Sequence, residues 1–270
     1  MTGKTFICTL FSSSGGNCAY IRNKGEEYLI DAGVSARAIE TSLKTLGTSL
    51  ANIKAVFVTH EHSDHIRGLE IISKYYRIPI YAPSLSCSAI GQSSMHTLLC
   101  LNRLDAPDAV DFCETSFKPF ATPHDSASSC GYVVNLGEKR VGLATDMGYI
   151  TKSTAEALSA CRAVIIESNH DIDMLKNGSY PYHLKKRILG DYGHLSNESC
   201  AGFLPYLIAC GTKSIALAHL SAENNTPAVA FAESYNTLKS KGITVCCKTS
   251  PGDVNLAVAP REGVCVLLDE

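Results

Sequence analysis

The stretch THEHSDHIRG, residues 59–68, places three histidines and two carboxylates within the six positions from His60 to His65. The preceding run IKAVFV, residues 53–58, is apolar and rich in β-branched and aromatic side chains, which is typical of a buried strand. The polar cluster is therefore expected to begin where a core strand reaches the protein surface.

In a loop that follows a strand, His60, His62, Asp64 and His65 can all turn toward one cavity, while Glu61 is expected to point elsewhere by alternation. Imidazole and carboxylate groups are the usual protein ligands of zinc, manganese and iron. A solvated surface loop is the alternative, but it would not ordinarily hold four ligand-competent side chains in six positions. The pattern favours a metal site.

Composition sets only broad limits on function. The chain has 270 residues, is 45% hydrophobic and carries a formal net charge of −2, so it can bury a substantial core without being globally basic. This balance neither supports nor excludes nucleic acid as a partner. The 12 cysteines include no CxxC pair, and no signal segment or membrane span is found. We therefore expect a cytoplasmic protein with reduced thiols and no membrane partner.

Strand-like and helical patterns alternate along the chain, which predicts an α/β fold. The predicted strands are Thr5–Phe11, Asn17–Ile21, Tyr28–Asp31, the run 53–60, Pro79–Ala82, Phe117–Thr122, Gly131–Leu136, Arg140–Ala144, Ala163–Glu167, Lys213–Ala218, Ile243–Lys248 and Gly263–Leu268. The predicted helices are Ser35–Leu46, Ile66–Tyr76, Thr151–Ala160, Ser196–Cys210 and Thr226–Lys239, with helix and loop over Ser84–Asp111. The simplest packing is two sheets flanked by helices, a four-layer αββα sandwich formed by one domain, residues 1–270.

Three further ligand candidates lie far downstream of this cluster. His124 in TPHDS, Asp146 in ATDMG and His219 in ALAHLS each follow an apolar, strand-like run. Because strand ends can converge on one rim of a sheet, these side chains can meet although they are distant in sequence.

The chain resembles the metallo-β-lactamase fold superfamily of hydrolases. LIDAG at residues 29–33, THEHSDH, His124, Asp146 and His219 match the five motifs of that superfamily in order. The resemblance implies the αββα sandwich and a site for two divalent ions, whose identity (Zn, Mn or Fe) the sequence does not reveal. It assigns the first ion to His60, His62 and His124, the second ion to Asp64, His65 and His219, and the bridging position to Asp146.

In such a site the two ions would lie roughly 3.5–4 Å apart and hold a hydroxide as the nucleophile. Asp64 and Asp146 are therefore counted among the catalytic residues. Asp31 is expected to orient a ligand from behind, as carboxylates commonly do for metal-binding histidines, although a plain strand-end turn would explain it equally well.

Several longer strings are similar to the YycJ/WalJ (VicX) branch of this superfamily. The most specific are GHLSNE and HLSAENN, accompanied by PHDSASSCGY and ESNHDIDML, whereas SSSGGNC departs slightly from the usual form of its motif. The resemblance implies a metal-dependent phosphodiesterase, a DNA exonuclease of 5′-to-3′ polarity. RNA, or a small molecule such as a cyclic nucleotide or thioester, is the alternative substrate, and a non-catalytic protein with structural metals is a further alternative.

GHLSNE also resembles a segment of ribonuclease Z, which makes His194 the candidate general acid; a purely structural histidine is the alternative. Glu167 or Asp191 is expected to orient His194, and His170 to line the same cavity from behind the ligands, unless it serves only to start a helix. The basic run Lys185, Lys186 and Arg187, beside Tyr180 and Tyr182, is expected to contact phosphate, with a solvated helix face as the alternative. The oligomeric state cannot be deduced from the sequence.

Overall fold

Two β-sheets lie face to face and helices flank them in the computed structural model, which describes residues 4–92, 94–246 and 251–270. This is the predicted α/β sandwich of the metallo-β-lactamase type. The prediction that residues 1–270 form one domain stays a prediction. Within the described ranges, no helix has both the length and the apolar character needed to cross a bilayer.

The first sheet begins antiparallel and becomes parallel across its width. Its strands, in spatial order, are β14 (Glu262–Asp269), β1 (Phe6–Ser13), β2 (Gly16–Asn23), β3 (Glu26–Ile30), β4 (Ile53–Phe57), β5 (Ile80–Ala82) and β6 (Leu101–Arg103). Pairing is parallel from β3 to β6, so the carboxyl ends of β3 and β4 reach the same edge of the sheet.

The second sheet is also mixed. Its strands, in spatial order, are β13 (Asn255–Val258), β12 (Ser214–Ala218), β11 (Ala163–Glu167), β10 (Lys139–Ala144), β9 (Cys130–Leu136), β8 (Thr115–Ala121) and β7 (Val110–Asp111). The four strands from β10 to β13 are parallel, which aligns the carboxyl ends of β10, β11 and β12.

The helices of the described ranges are α1 (Ala36–Thr45), α2 (Ser63–Ile66), α3 (Leu69–Tyr76), α4 (Ser84–Gly91), α5 (Met95–Cys100), α6 (Lys152–Leu158), α7 (Ile172–Asn177), α8 (Tyr182–Ile188), α9 (Asn197–Ala209) and α10 (Pro227–Ser240), with a 3₁₀ turn at Leu50–Asn52.

Three apolar cores of the described residues hold the layers together. Residues of α1, α3 and α4 pack on the first sheet, and those of α6, α9 and α10 pack on the second. The central core fills the space between the sheets and includes the buried rings of Phe57, Phe117 and Tyr132.

The predicted helix Ile66–Tyr76 is broken into α2 and α3 at Gly68. Gly68 donates its N–H to the Ala32 carbonyl at 2.8 Å, and a Cβ on Gly68 would lie 2.6 Å from the Val34 carbonyl oxygen. A side chain cannot fit there, so the close approach of this backbone to the segment after β3 requires glycine.

The strand predictions failed mainly for strands that are very short or that lie near the carboxyl end of the chain. Ser84–Asp111 contains β6 and β7 besides two helices, and β13 was not predicted. Strands this short acquire their conformation from pairing with a neighbour rather than from local propensity. The predicted strand Ile243–Lys248 is wrong in its described part, where only Val245 forms an isolated bridge to Val254; its last two residues lie outside the described ranges.

Candidate functional site

The candidate ligands follow the aligned strand ends. Asp31 follows β3, the THEHSDH segment follows β4, Asp146 follows β10 and His219 follows β12. Asp31, Asp146 and His219 adopt left-handed backbone conformations with φ values of 61°, 59° and 56°. Such conformations cost a non-glycine residue roughly 1–3 kcal/mol and persist only where the surroundings hold them, as they often do at functional sites.

Three histidines form the first cluster. One ring nitrogen each from His60, His62 and His124 lies within 4.8 Å of the others, and His124 Nε2 is 3.3 Å from His62 Nδ1. Burial lowers the pKa of both His60 and His124. Their rings are therefore favoured in the neutral form, which is the form that coordinates a metal ion.

The second cluster contains Asp64, His65 and His219. Asp64 Oδ2 lies 3.4 Å from the Nε2 atoms of both histidines. Burial alone would raise the pKa of Asp64, but hydrogen bonds from His219 and His65 hold that pKa well below its usual range. Burial would likewise lower the pKa of His219, but Asp146 and the neighbouring carboxylates raise it to about 10.

Asp146 lies between the two clusters and contacts both. Its Oδ2 atom is 3.2 Å from His65 Nε2, and its Oδ1 atom is 3.7 Å from His124 Nε2. Despite that short distance, Asp146 Oδ2 makes no hydrogen bond of normal geometry within the described part of the chain, and His60 Nε2 is likewise buried without a partner there. Buried polar atoms are rarely left unsatisfied, so these two atoms fit metal coordination well.

Two carboxylates hold the metal-ligand candidates from behind. Asp31 Oδ2 lies 2.8 Å from His65 Nδ1, and its Oδ1 accepts from the Thr59 N–H at 2.8 Å. Glu167 is fully buried, and its acceptors are occupied by donors from four residues. These are His194 Nδ1 at 2.8 Å, His219 Nδ1 at 2.9 Å, the Met147 N–H at 2.9 Å and the Leu195 N–H at 3.2 Å.

Glu167, rather than Asp191, contacts the side chain of His194. Burial would raise the pKa of Glu167, but the interaction with His194 lowers it to about 2, so the carboxylate is ionised. A hydrogen bond to Glu167 fixes the Nδ1 proton of His194 and leaves Nε2 to exchange a proton with a ligand. The His194 side chain is 15% exposed and lines the cavity above the clusters.

His170 does not line that cavity. It is buried behind the wall, its carbonyl accepts from the Asn197 N–H, and burial lowers its pKa to about 4. Among the described residues neither ring nitrogen has a hydrogen-bond partner, so no bond joins it to a candidate ligand. A supporting role for His170 stays a prediction, and in this geometry it would act from behind the cavity wall rather than from the cavity itself.

The basic run on α8 divides into three different environments. Lys185 Nζ donates to the carbonyls of Lys176 and Gly178 at 2.8 and 2.7 Å, so it closes the carboxyl end of α7 rather than facing the cavity. Lys186 is exposed. Arg187 lines the cavity and pairs through two nitrogens with Asp125, the residue after His124.

The cavity has a volume of about 420 Å³ and includes residues that the sequence did not single out. Ser14, Asn169 and Ser221 line it, together with Tyr180, which the sequence analysis had named beside the basic run. The first three lie in strings that the family resemblance had marked without giving these residues a role: SSSGGNC, ESNHD and HLSAENN. Isolated polar residues in loops carry no spacing signal, so only the folded chain reveals them.

Glu61 points away from the clusters, as expected from alternation, and joins two neighbouring segments. Its Oε1 accepts from the Ala127 N–H and its Oε2 from Ser86 Oγ, both at 2.6 Å. It therefore ties the segment that contains His60 and His62 to the loop that carries His124.

We expect Glu61→Ala to weaken metal binding by about 10–100-fold, the usual effect of losing a group that orients ligands. A chelator competition titration of zinc or manganese measures this, with Glu70→Ala on the exposed face of α3 as the matched control. Unchanged affinity in Glu61→Ala would contradict the positioning role.

Several known proteins resemble this chain in sequence or in fold. A family model described as a β-lactamase superfamily domain matches residues 26–219. The chain is 34% identical to exodeoxyribonuclease YycJ of Bacillus anthracis, covering 87% of this chain and 90% of that protein. It is 32% identical to exodeoxyribonuclease WalJ of Streptococcus pneumoniae, covering 87% and 89%. The metallo-β-lactamase fold protein YhfI of Bacillus subtilis superposes with a TM-score of 0.71 at 14% identity, over 98% of this chain and 99% of that one.

Proposed function

The chain belongs to the β-lactamase superfamily, in its YycJ/WalJ-like branch, and is a metal-dependent nuclease; from this premise we propose that it degrades DNA from the 5′ end with the aid of two divalent metal ions. The observation that carries the proposal is the joining of two ligand clusters by Asp146, with a Glu167–His194 pair beside them. A cytoplasmic location is part of the same proposal.

The residues fit two divalent ions of the zinc, manganese or iron type. His60, His62 and His124 would hold one ion, Asp64, His65 and His219 would hold the other, and Asp146 would bridge them. The orphaned Asp146 Oδ2 and His60 Nε2 support this assignment. When bound, the ions would supply a hydroxide nucleophile at neutral pH and neutralise charge on the phosphate.

His194 would then protonate the leaving oxygen of the phosphodiester. Cleavage expels an alkoxide, which needs a proton, and a positioned imidazole contributes about 10²–10⁴-fold to such a step. Glu167 fixes the ring through Nδ1, so that Nε2 carries the transferable proton. Arg187 on the cavity wall would contact a phosphate oxygen, with Asp125 holding its guanidinium in place.

DNA is the proposed substrate because the two relatives are exodeoxyribonucleases and match this chain over most of their length. Residues 147–218 are all described and contain α6, β11, α7, α8, α9 and β12, with no space for an inserted nucleic-acid-binding domain. Substrate selection is therefore assigned to the loops and to α8 around the cavity.

The test is a panel of 3′-labelled DNA and RNA strands, single and duplex, incubated with Mn²⁺, Zn²⁺ or Mg²⁺. We expect stepwise shortening of DNA from the 5′ end and no cleavage in excess EDTA. Preferential cleavage of RNA would move the substrate to the alternative class. Failure to cleave any nucleic acid with any of these ions, at full metal content, would overturn the proposed activity.

A further inference from the structure

Two segments whose sequence motifs have no assigned role lie next to each other beside His219. The turn between β1 and β2 carries SSSGG, and the segment after β12 carries HLSAENN. Ser12 Oγ accepts from the His219 N–H at 2.8 Å, and the Ser14 N–H donates to the Leu220 carbonyl at 3.4 Å. These bonds place Ser14 alongside Ser221, next to a candidate metal ligand.

The Ser221 hydroxyl is arranged to donate a hydrogen bond into the cavity. The residue is 8% exposed, and its Oγ accepts from the Asn224 N–H at 3.1 Å and the Glu223 N–H at 3.4 Å. With both lone pairs used in this way, its own hydrogen remains available for an acceptor. Ser14 is exposed on the same cavity wall, and its hydroxyl has no hydrogen-bond partner among the described residues.

Positive charge accompanies the two hydroxyls. The Arg261 carbonyl accepts from the Ser12 N–H at 3.4 Å, and Arg261 Nη2 would lie 3.5 Å from a Cβ built on Gly15. Arg187 lines the same cavity. Hydroxyl donors beside guanidinium groups are suited to an anion with several oxygens, above all a phosphate.

The cavity is small for a nucleic acid. Its volume of about 420 Å³ is in the range of sites for small molecules, which suits the end of one strand rather than a duplex. A phosphate monoester carries about −1.5 to −2 charges at neutral pH and offers three acceptor oxygens. It can therefore use several of these donors at once.

We propose that Ser14 and Ser221 form a subsite for the 5′-terminal phosphate of the DNA strand, so that phosphorylated ends are the preferred substrate. This inference rests on the nuclease function proposed above and adds its mode of end recognition. The Arg187 guanidinium on the cavity wall favours the monoester over a 5′-hydroxyl, and Arg261, which lies beside Gly15 but does not line the cavity, adds positive charge nearby.

The experiment compares two 3′-labelled DNA strands of one sequence, with a 5′-phosphate or a 5′-hydroxyl. We expect kcat/KM to be at least about tenfold higher for the phosphorylated strand, because charge-assisted hydrogen bonds are lost without the phosphate. Ser14→Ala and Ser221→Ala should each lower this ratio, and the double variant should bring it close to 1. Ser240→Ala, at the exposed end of α10, should keep the full ratio.

Equal cleavage of both strands by the wild-type protein would overturn the subsite, as would a ratio that survives in both serine variants. Ser14→Ala keeps the test valid if Ser221→Ala misfolds, since the Ser14 hydroxyl supports no other group. Equilibrium binding of the two strands in EDTA separates this inference from the nuclease proposal. If neither strand is cut, preferential binding of the phosphorylated strand would still support the subsite, and equal binding would overturn it.

Discussion

Asp146→Ala is expected to abolish metal binding and DNA cleavage together. Its Oδ2 atom lies 3.2 Å from His65 Nε2, and its Oδ1 atom lies between His219 Nδ1 at 3.6 Å and His124 Nε2 at 3.7 Å, so one substitution would remove a proposed ligand from both metal positions. Metal ions contribute several kcal/mol of transition-state stabilisation in such reactions, and we therefore expect activity to fall by at least about 10³-fold.

Elemental analysis of the purified variant and the 5′-end cleavage assay measure the two effects on one sample. Asp146→Asn retains the size of the side chain without its charge and should show the same loss, which separates the missing ligand from a packing defect. Asp108→Ala, at an exposed position away from the site, should retain metal and activity. A full complement of both ions in Asp146→Ala would refute the bridging assignment.

His194→Ala is expected to retain the metal ions and to lower kcat on DNA by about 10²–10⁴-fold, the usual contribution of a general acid. The ring is held by Glu167 through Nδ1 and belongs to neither triad proposed to hold an ion, although Asp146, Glu167, His194 and His219 also offer ligand atoms within 4.8 Å of one another. Its removal should therefore impair proton transfer to the leaving oxygen without removing a ligand.

A substrate with a stable leaving group tests this role directly. Bis(p-nitrophenyl) phosphate expels p-nitrophenolate, which needs little protonation, so His194→Ala should lose much less activity on it than on DNA. His183→Ala, at an exposed position on the same helix as Arg187, serves as the control. Equal losses on both substrates, or reduced metal content, would show that His194 does not act as the acid.

Glu167 is a poorer target for this purpose because its Oε1 contacts both His194 Nδ1 and His219 Nδ1. A substitution there would disturb the candidate acid and a candidate metal ligand at once. The shared carboxylate also links the orientation of the acid to the orientation of the ligand, and no spacing in the sequence indicates such a link.

The fold class and the metal-ligand candidates were accessible from the sequence because their signals are local. A buried strand followed by HxHxDH can be identified within a dozen residues, and the ordered single-residue motifs extended the resemblance to His124, Asp146 and His219. The short strands β6, β7 and β13 were not predicted, because pairing with a neighbouring strand rather than local propensity forms them, and for β6 and β13 that neighbour is distant in sequence.

The role of a single polar residue depends on contacts that its place in the sequence does not give. Lys185 and Arg187 are two positions apart on α8, yet one closes the end of α7 and the other lines the cavity with Asp125, 62 residues away. Neighbouring residues on a helix point in different directions, so a run of basic residues in the sequence does not show that they share one role.

The sequence by itself determined which chemical groups are present and which of them follow directly after a strand, because side-chain identity and strand periodicity are properties of neighbouring residues. Only the tertiary structure decided which group each one contacts. Glu167 reaches His219, 52 residues away, because the parallel strands β11 and β12 bring their carboxyl ends to one edge, and it reaches His194, 27 residues away, because the loop between α8 and α9 passes that edge. Hydrogen bonds depend on distances of about 3 Å in space, and the order of residues along a chain does not contain those distances.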